Sequence, residues 1–191
     1  TSDQGFAWGQ KGFKSKVAPY RANVEAPMII RMPGAIADQS AGRVIEEPIA
    51  GVDIVPTFFA QAGIELPWEM HGYDLSPLLG AEDKAWEYPA LLVHTAKQFG
   101  SDTNNVPPAG DPRLIHGPGI PWYVMLCEGE YKYIRNLIEG ETEELYHMDD
   151  DPEEVVNLAQ LAVHQETLKK FRSQAIDELR RTKAGMVDNL P

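Results

Sequence analysis

The chain has 191 residues with an ordinary globular balance of 43% hydrophobic and 24% charged residues, which suffices for a packed core and argues against wholesale disorder. Its net charge of −12 argues against nucleic acid or an anionic membrane as a main partner, because both need basic surface. The single cysteine, Cys127, excludes an internal disulfide, and no apolar run is long enough to cross a bilayer.

The opening Thr1-Ser2-Asp3-Gln4-Gly5 reads as the end of a strand entering a loop, so the chain is expected to be a piece of a longer protein. Residues 5–26 are rich in Gly, Lys and aromatics without periodicity and are expected to be loop. The apolar run at 26–31, closed by Pro33-Gly34, predicts a buried strand and a turn. Asp53 is placed to cap a helix over 53–62 that stops at Gly63, with Val52, Val55, Phe58, Phe59 and Ala62 on its buried face. Residues 66–83 read as loop with a short helical turn, 89–95 as a strand, and 99–121 as a long loop rich in Gly, Pro, Asn and Asp.

The segments 122–127, 130–138 and 143–148, separated by Glu-Gly turns, predict a meander of three strands. Asp151-Pro152-Glu153-Glu154 has the form of a capping box. A helix is expected over 165–183, with Leu168, Phe171, Ala175 and Leu179 buried and Arg180, Arg181 and Lys183 at its C-terminal end. The boundary between two units is expected near 80–88, giving 1–85 and 86–191.

Asp3 and Gln4 are adjacent side-chain oxygens of the kind a hard cation takes, followed by Gly5, which would let the backbone turn away. Lys11, Lys14 and Lys16 lie among Gly9, Gly12 and aromatics, and could meet an anion as point charges or be a solvated basic loop. Taken in order, Asp3-Gln4-Gly5, the Gly-rich run to Lys16, Tyr20, and the apolar run ending in Pro33-Gly34 resemble the type I sulfatases of the alkaline phosphatase superfamily. Val52-Asp53 through Ile64, Gly72 through Leu79, Tyr131 through Ile134, Glu144-Leu145-Tyr146 and Asp151-Pro152 with Asn157-Leu158-Ala159 extend the resemblance over nearly the whole chain, apart from roughly 96–120.

The resemblance implies an α/β fold: the C-terminal part of an alkaline-phosphatase-like sheet domain, followed by a small antiparallel sheet of about four strands with a packed C-terminal helix. It implies a sulfate-ester hydrolase using calcium, with Asp3 and Gln4 as metal ligands and Lys16 on the sulfate ester, possession of a sulfated carbohydrate substrate being one option. Lys11 is a weaker substrate-binding candidate. Where many relatives carry Glu and Arg around the short segment after Tyr20, this chain carries Arg21 and Glu25, an exchanged pair that can still meet at i, i+4. The nucleophile motif C/S-x-P-x-R, whose Cys or Ser becomes formylglycine, is absent, since Cys127 is followed by Glu-Gly-Glu. Formylglycine is therefore expected upstream of this chain, and the chain alone is expected to be catalytically silent.

Further substrate-binding candidates are His94 at a strand end, His116 in the long loop, and Trp122, which either stacks on a sugar or aryl group or packs under the sheet. Cys127 reads as a half-buried filler, and Asp149-Asp150-Asp151 as structural and not a calcium cluster. His71 reads as a turn residue, and His147 and His164 as surface positions. Two other functions fit the same residues: phosphonate or phosphate ester hydrolysis in the same superfamily, and non-catalytic carbohydrate binding. Family resemblance implies a periplasmic, secreted or lysosomal protein; oligomeric state is left open.

Overall fold

The computed structural model describes residues 1–31, 42–80, 85–95, 103–116 and 119–191, the side chain of His116 excepted. The Gly-rich start forms a small antiparallel hairpin. Strand β1 (Ala7–Trp8) pairs with β2 (Lys14–Ser15) around a tight turn at Gln10–Gly12. Helix α1 (Arg21–Val24) is a single turn. The expected continuous loop over 5–26 thus contains a hairpin and a helical turn, while no strand forms at residues 1–6.

The expected strand at 26–31 does not form: these residues pair with no described strand, and Ile29 is 90% exposed. Strand geometry depends on a neighbour to take its N–H and C=O groups, and none of the described residues provides one. The turn expected at Pro33-Gly34 lies outside the described residues.

Helix α2 (Ile54–Ala62) ends, as expected, at Gly63 in the left-handed region (φ 65°), where the Gly63 and Ile64 N–H groups close onto Ala60 and Phe59 carbonyls. Two expectations for this helix fail. Asp53 does not cap it; its buried carboxylate accepts the N–H groups of Ala50 (2.7 Å) and Tyr73 (2.8 Å), tying two loops together. The apolar face is not covered: Val52, Val55, Phe58 and Ala62 are exposed, and the buried residues are Pro56 and Thr57. Thr57 donates to the Asp53 carbonyl and accepts from the Leu75 N–H, docking the next short helix, α3 (Ser76–Leu79).

Strand β3 (Ala90–His94) follows, and then a two-residue pair within the expected long loop, β4 (Ile115–His116) with β5 (Ile120–Pro121). The expected meander is β6 (Tyr123–Glu128), β7 (Tyr131–Asn136) and β8 (Glu144–His147), with Gly129 and Gly140 at positive φ in the turns between them. With β3 on the edge, the sheet order is β3-β6-β7-β8, antiparallel throughout. This matches the expected sheet of about four strands.

Side chains alternate across this sheet. Trp122, Val124, Leu126, Tyr133 and Leu145 face helix α4 (Gln165–Arg181), whose Leu168, Phe171, Ala175 and Leu179 are buried as the periodicity predicted. Tyr123, Met125, Ile134 and Tyr146 face the other way, onto Ala18 and its neighbours Phe13, Val17, Tyr20 and Val24. The lysine-bearing segment therefore lies on one face of the sheet and α4 on the other. Segments on both sides of residue 85 share this second core, while 81–84 lie outside the described residues.

The capping box at Asp151 is not realised. The Asp151 carboxylate accepts the N–H groups of Val155 (3.0 Å) and Val156 (2.8 Å), and Glu154 sits at φ 56°, outside any helix. Its carboxylate is taken by distant partners described below.

Candidate functional site

Asp3 and Lys16, thirteen residues apart in sequence, meet in an ion pair with Lys16 Nζ 2.5 Å from Asp3 Oδ2. The side chains are 73% and 40% exposed, so the pair stands on a rim open to solvent. The Lys16 hydrogen bond, helped by the Gln4 backbone N–H, holds the Asp3 carboxyl below its ordinary value. An exposed pair of this kind adds little to stability.

The backbone around the pair is tightly held. The Gly5 N–H donates to the Asn23 carbonyl (2.9 Å), and a Cβ on Gly5 would stand 2.2 Å from the Ala22 carbonyl oxygen. Gly5 is thus required by the close approach of α1; it is not a site of left-handed turning. On the other side, Ser15 (φ 75°) and Val17 (φ 97°) flank Lys16 in a conformation that residues with a Cβ rarely adopt. Asn23, itself buried, donates its side-chain N–H to the Ser15 carbonyl (2.7 Å). One residue on α1 therefore holds both arms of the pair.

Helix α1 is in turn anchored in the sheet. The Arg21 N–H donates to Glu154 Oε2 (2.8 Å), and Glu154 Oε1 pairs with Lys132 Nζ of β7 at 2.5 Å. Lys132 and Glu154 are 1% and 2% exposed, a fully buried ion pair with its oxygens occupied. The Arg21 and Glu25 side chains meet at 2.8 Å, so the exchanged pair forms its i, i+4 contact.

The other lysines are not gathered with Lys16. Lys11 turns toward the sheet: its ammonium lies 4.3 Å from the Tyr20 ring centre and 5.0 Å from that of Tyr146, and it donates to the Glu154 carbonyl. In this position it braces the loop. Lys14 is exposed on β2, opposite Trp8.

His94 ends β3 opposite Tyr123, and the two rings stack with centres 5.2 Å apart. The Tyr123 hydroxyl donates to the Val17 carbonyl (2.7 Å), so His94 reaches the residue after Lys16 through one intermediary. Trp122 corrects one of its two readings. It is 3% exposed in the core beneath α4, which leaves no ring face for a ligand, and it shares alternation parity with Val124 and Leu126. The backbone of His116 belongs to β4, and its side chain lies outside the described residues.

Burial pushes the Cys127 thiol up to about 11, which suits an inert filler and not a nucleophile. His147 is more engaged than a surface position, with Glu130 at 3.1 Å and Asp150 at 3.4 Å. Sequence reasoning missed Asn23, Lys132, Glu154 and Tyr123. Only Lys132 left a signal, as a lysine inside an otherwise buried strand.

A calcium ion takes six to eight oxygens, and a carboxylate beside an amide carbonyl has the right donor chemistry for part of that shell. No group of three or more His, Cys, Asp or Glu side chains that could hold a metal forms among the described residues. Asp3 and Gln4 thus fit calcium as contributors and not as a complete site.

A family model described as N-sulphoglucosamine sulphohydrolase, C-terminal, matches residues 9–97. The chain is 30% identical over its whole length to an N-acetylglucosamine-6-O-sulfatase of Bacteroides thetaiotaomicron, of which it covers 30%. It is 25% identical over 98% of its length to an arylsulfatase of Clostridium perfringens, of which it covers 34%. A solved structure of a protein in complex with its substrate, D-glucosamine-2-N,6-O-disulfate, superposes over the full chain with a TM-score of 0.70 at 24% identity, the chain covering 35% of it. Over its whole length the chain is similar to the C-terminal part of sulfatases. It spans about a third of the length of the curated relatives it matches.

Proposed function

We propose that this chain forms one wall of the active site of a sulfate-ester hydrolase acting on a sulfated hexosamine, and that it supplies Asp3, Gln4 and Lys16 to the reacting group. The observation that carries this reading is the Asp3–Lys16 pair: opposite charges 2.5 Å apart on an open rim, between arms braced from behind. Lys16 donates to a sulfate oxygen or to the leaving ester oxygen, where negative charge grows as the S–O bond breaks. Asp3 orients that ammonium and, with the Gln4 carbonyl, offers oxygens to a cation. When bound, calcium would add fixed positive charge against the sulfate, and formylglycine, expected outside this chain, would supply the attacking oxygen.

A sulfated sugar is anionic while the chain carries −12, so local charge at the site must outweigh the net field. Lys16 supplies it from the hairpin loop, together with the cation that Asp3 and Gln4 would hold. His94 borders the same face of the sheet and is part of the proposed substrate wall. The choice of a hexosamine rests on the relatives, one named for N-acetylglucosamine-6-sulfate hydrolysis and one bound to a disulfated glucosamine. Export from the cytoplasm belongs to the same proposal; among the described residues no helix is long and apolar enough to cross a membrane.

The test is steady-state kinetics of the complete enzyme carrying this chain, on 6-O-sulfated N-acetylglucosamine. Lys16→Met is expected to lower kcat/KM by about a hundredfold or more, the usual loss of a transition-state charge donor. Asp3→Asn is expected to raise the calcium concentration needed for half-maximal rate. Wild-type kinetics in both variants would overturn the assignment.

A further inference from the structure

Asn23 lies outside every motif that carries the family resemblance, yet it hydrogen-bonds to both arms of the candidate site. It is 2% exposed, on a helix of only four residues. Its carbonyl accepts the N–H of Gly5, next to Gln4, at 2.9 Å, and its side-chain N–H donates to the carbonyl of Ser15, next to Lys16, at 2.7 Å. A four-residue helix has no internal ladder strong enough to hold its own place. Its first N–H is instead fixed by Glu154, whose carboxylate is locked by the buried Lys132 ammonium. Contacts thus run unbroken from the sheet strand through Glu154 and α1 to the backbone on either side of the reacting pair.

We propose that Asn23 is a positioning residue: through the Ser15 carbonyl and the Gly5 N–H it sets the separation of Lys16 from Asp3 and Gln4, with Lys132–Glu154 as its anchor in the sheet. The site would otherwise be carried by two loops. Ser15 and Val17 sit at positive φ, a strained conformation that persists only when surrounding contacts over-determine it. The Asn23 amide is such a contact. Displacing a positioned group by about an ångström can cost on the order of a hundredfold in rate. Asn23 itself touches no reacting atom, so its effect reaches the chemistry only through Lys16 and Asp3.

The inference rests on the proposed role of Asp3 and Lys16, and its test is chosen to be independent of activity. In the wild-type chain, the Asn23 side-chain amide protons and the Gly5 amide proton should exchange with solvent at least tenfold more slowly than the Glu65 amide in an exposed loop. Rapid exchange of both would overturn the proposal without any variant being made. A nuclear Overhauser contact between the Lys16 side chain and Asp3, which form an ion pair, then gives the local readout. Asn23→Leu, similar in volume but without a donor, should weaken that contact by at least half, with Asn23→Ala doing the same, while contacts within the sheet stay as they are. A Lys16–Asp3 contact unaltered in folded Asn23 variants would overturn the positioning role while leaving the site intact. In the complete enzyme, Asn23→Leu should lower kcat with little change in KM; absence of sulfate release by the wild type would defeat the functional reading and leave the contact result standing.

Discussion

At the residue scale, two ion pairs do opposite work. Asp3–Lys16 is exposed and adds little stability, so its value lies in where it places charge. Lys132–Glu154 is buried, and each ion is tolerable only because the other is present. Removing one partner, as in Glu154→Ala or Lys132→Met, is expected to cost about 3–5 kcal/mol, whereas the joint change Lys132→Met/Glu154→Leu recovers most of it. Urea denaturation of the three variants checks this; equal losses in single and double variants would contradict it. Glu143 gives a pH prediction. Burial alone would raise its carboxyl, but Arg172 and the Tyr133 hydroxyl outweigh burial and hold it below its ordinary value. Its stabilising contribution is therefore full above about pH 4.3, the unfolded value, and is lost as pH falls through the lower folded value. Glu143→Gln should flatten this part of the acid stability profile. Asp3, Gln4 and Lys16 were legible because motif order survives in a linear string. Asn23 was not, because its role consists of two hydrogen bonds to residues that only the fold brings near. Trp122 could have been placed by parity with Val124 and Leu126 once 122–127 was read as a strand.

At the element scale, periodicity succeeded where an element carries its own hydrogen bonds. Helix α4 satisfies its backbone internally, and its 3.6-residue pattern put Leu168, Phe171, Ala175 and Leu179 in the core. Phe171→Ala is expected to destabilise the chain by about 3–5 kcal/mol, as read from its denaturation midpoint. The meander was legible for a related reason: the Glu-Gly turns at Gly129 and Gly140 bring neighbouring strands together without distant information. Sequence reasoning failed where an element depends on partners. Residues 26–31 have strand composition but no described strand beside them. Asp151 to Glu154 has capping-box spelling, yet a buried lysine on β7 claims the glutamate that the box would use.

At the scale of the whole molecule, the uncovered face of α2 is the feature the chain alone does not explain. Val52, Val55, Phe58, Ile64 and Trp68 are all exposed, although the spacing in α2 is that of a buried face. A chain covering about a third of its relatives has room for this face to be covered by the rest of the enzyme. Phe58→Ser should then change the stability of this chain by no more than about 0.5 kcal/mol, as at ordinary surface positions. In the complete enzyme the same substitution should cost about 3 kcal/mol or more, as in a core. Equal small effects in both would show that the face stays open. The fold class was legible from the ordered segments, while what covers α2 was not, because burial is a property of neighbours. The central claim is that this chain completes a sulfatase active site without being one, and it is tested most directly by sulfate release. Incubated with 6-O-sulfated N-acetylglucosamine and calcium, the complete enzyme is predicted to liberate sulfate while this chain alone liberates none. Sulfate release by the chain alone, or a complete enzyme that cleaves phosphate or phosphonate esters and leaves the sulfated sugar intact, would contradict the account.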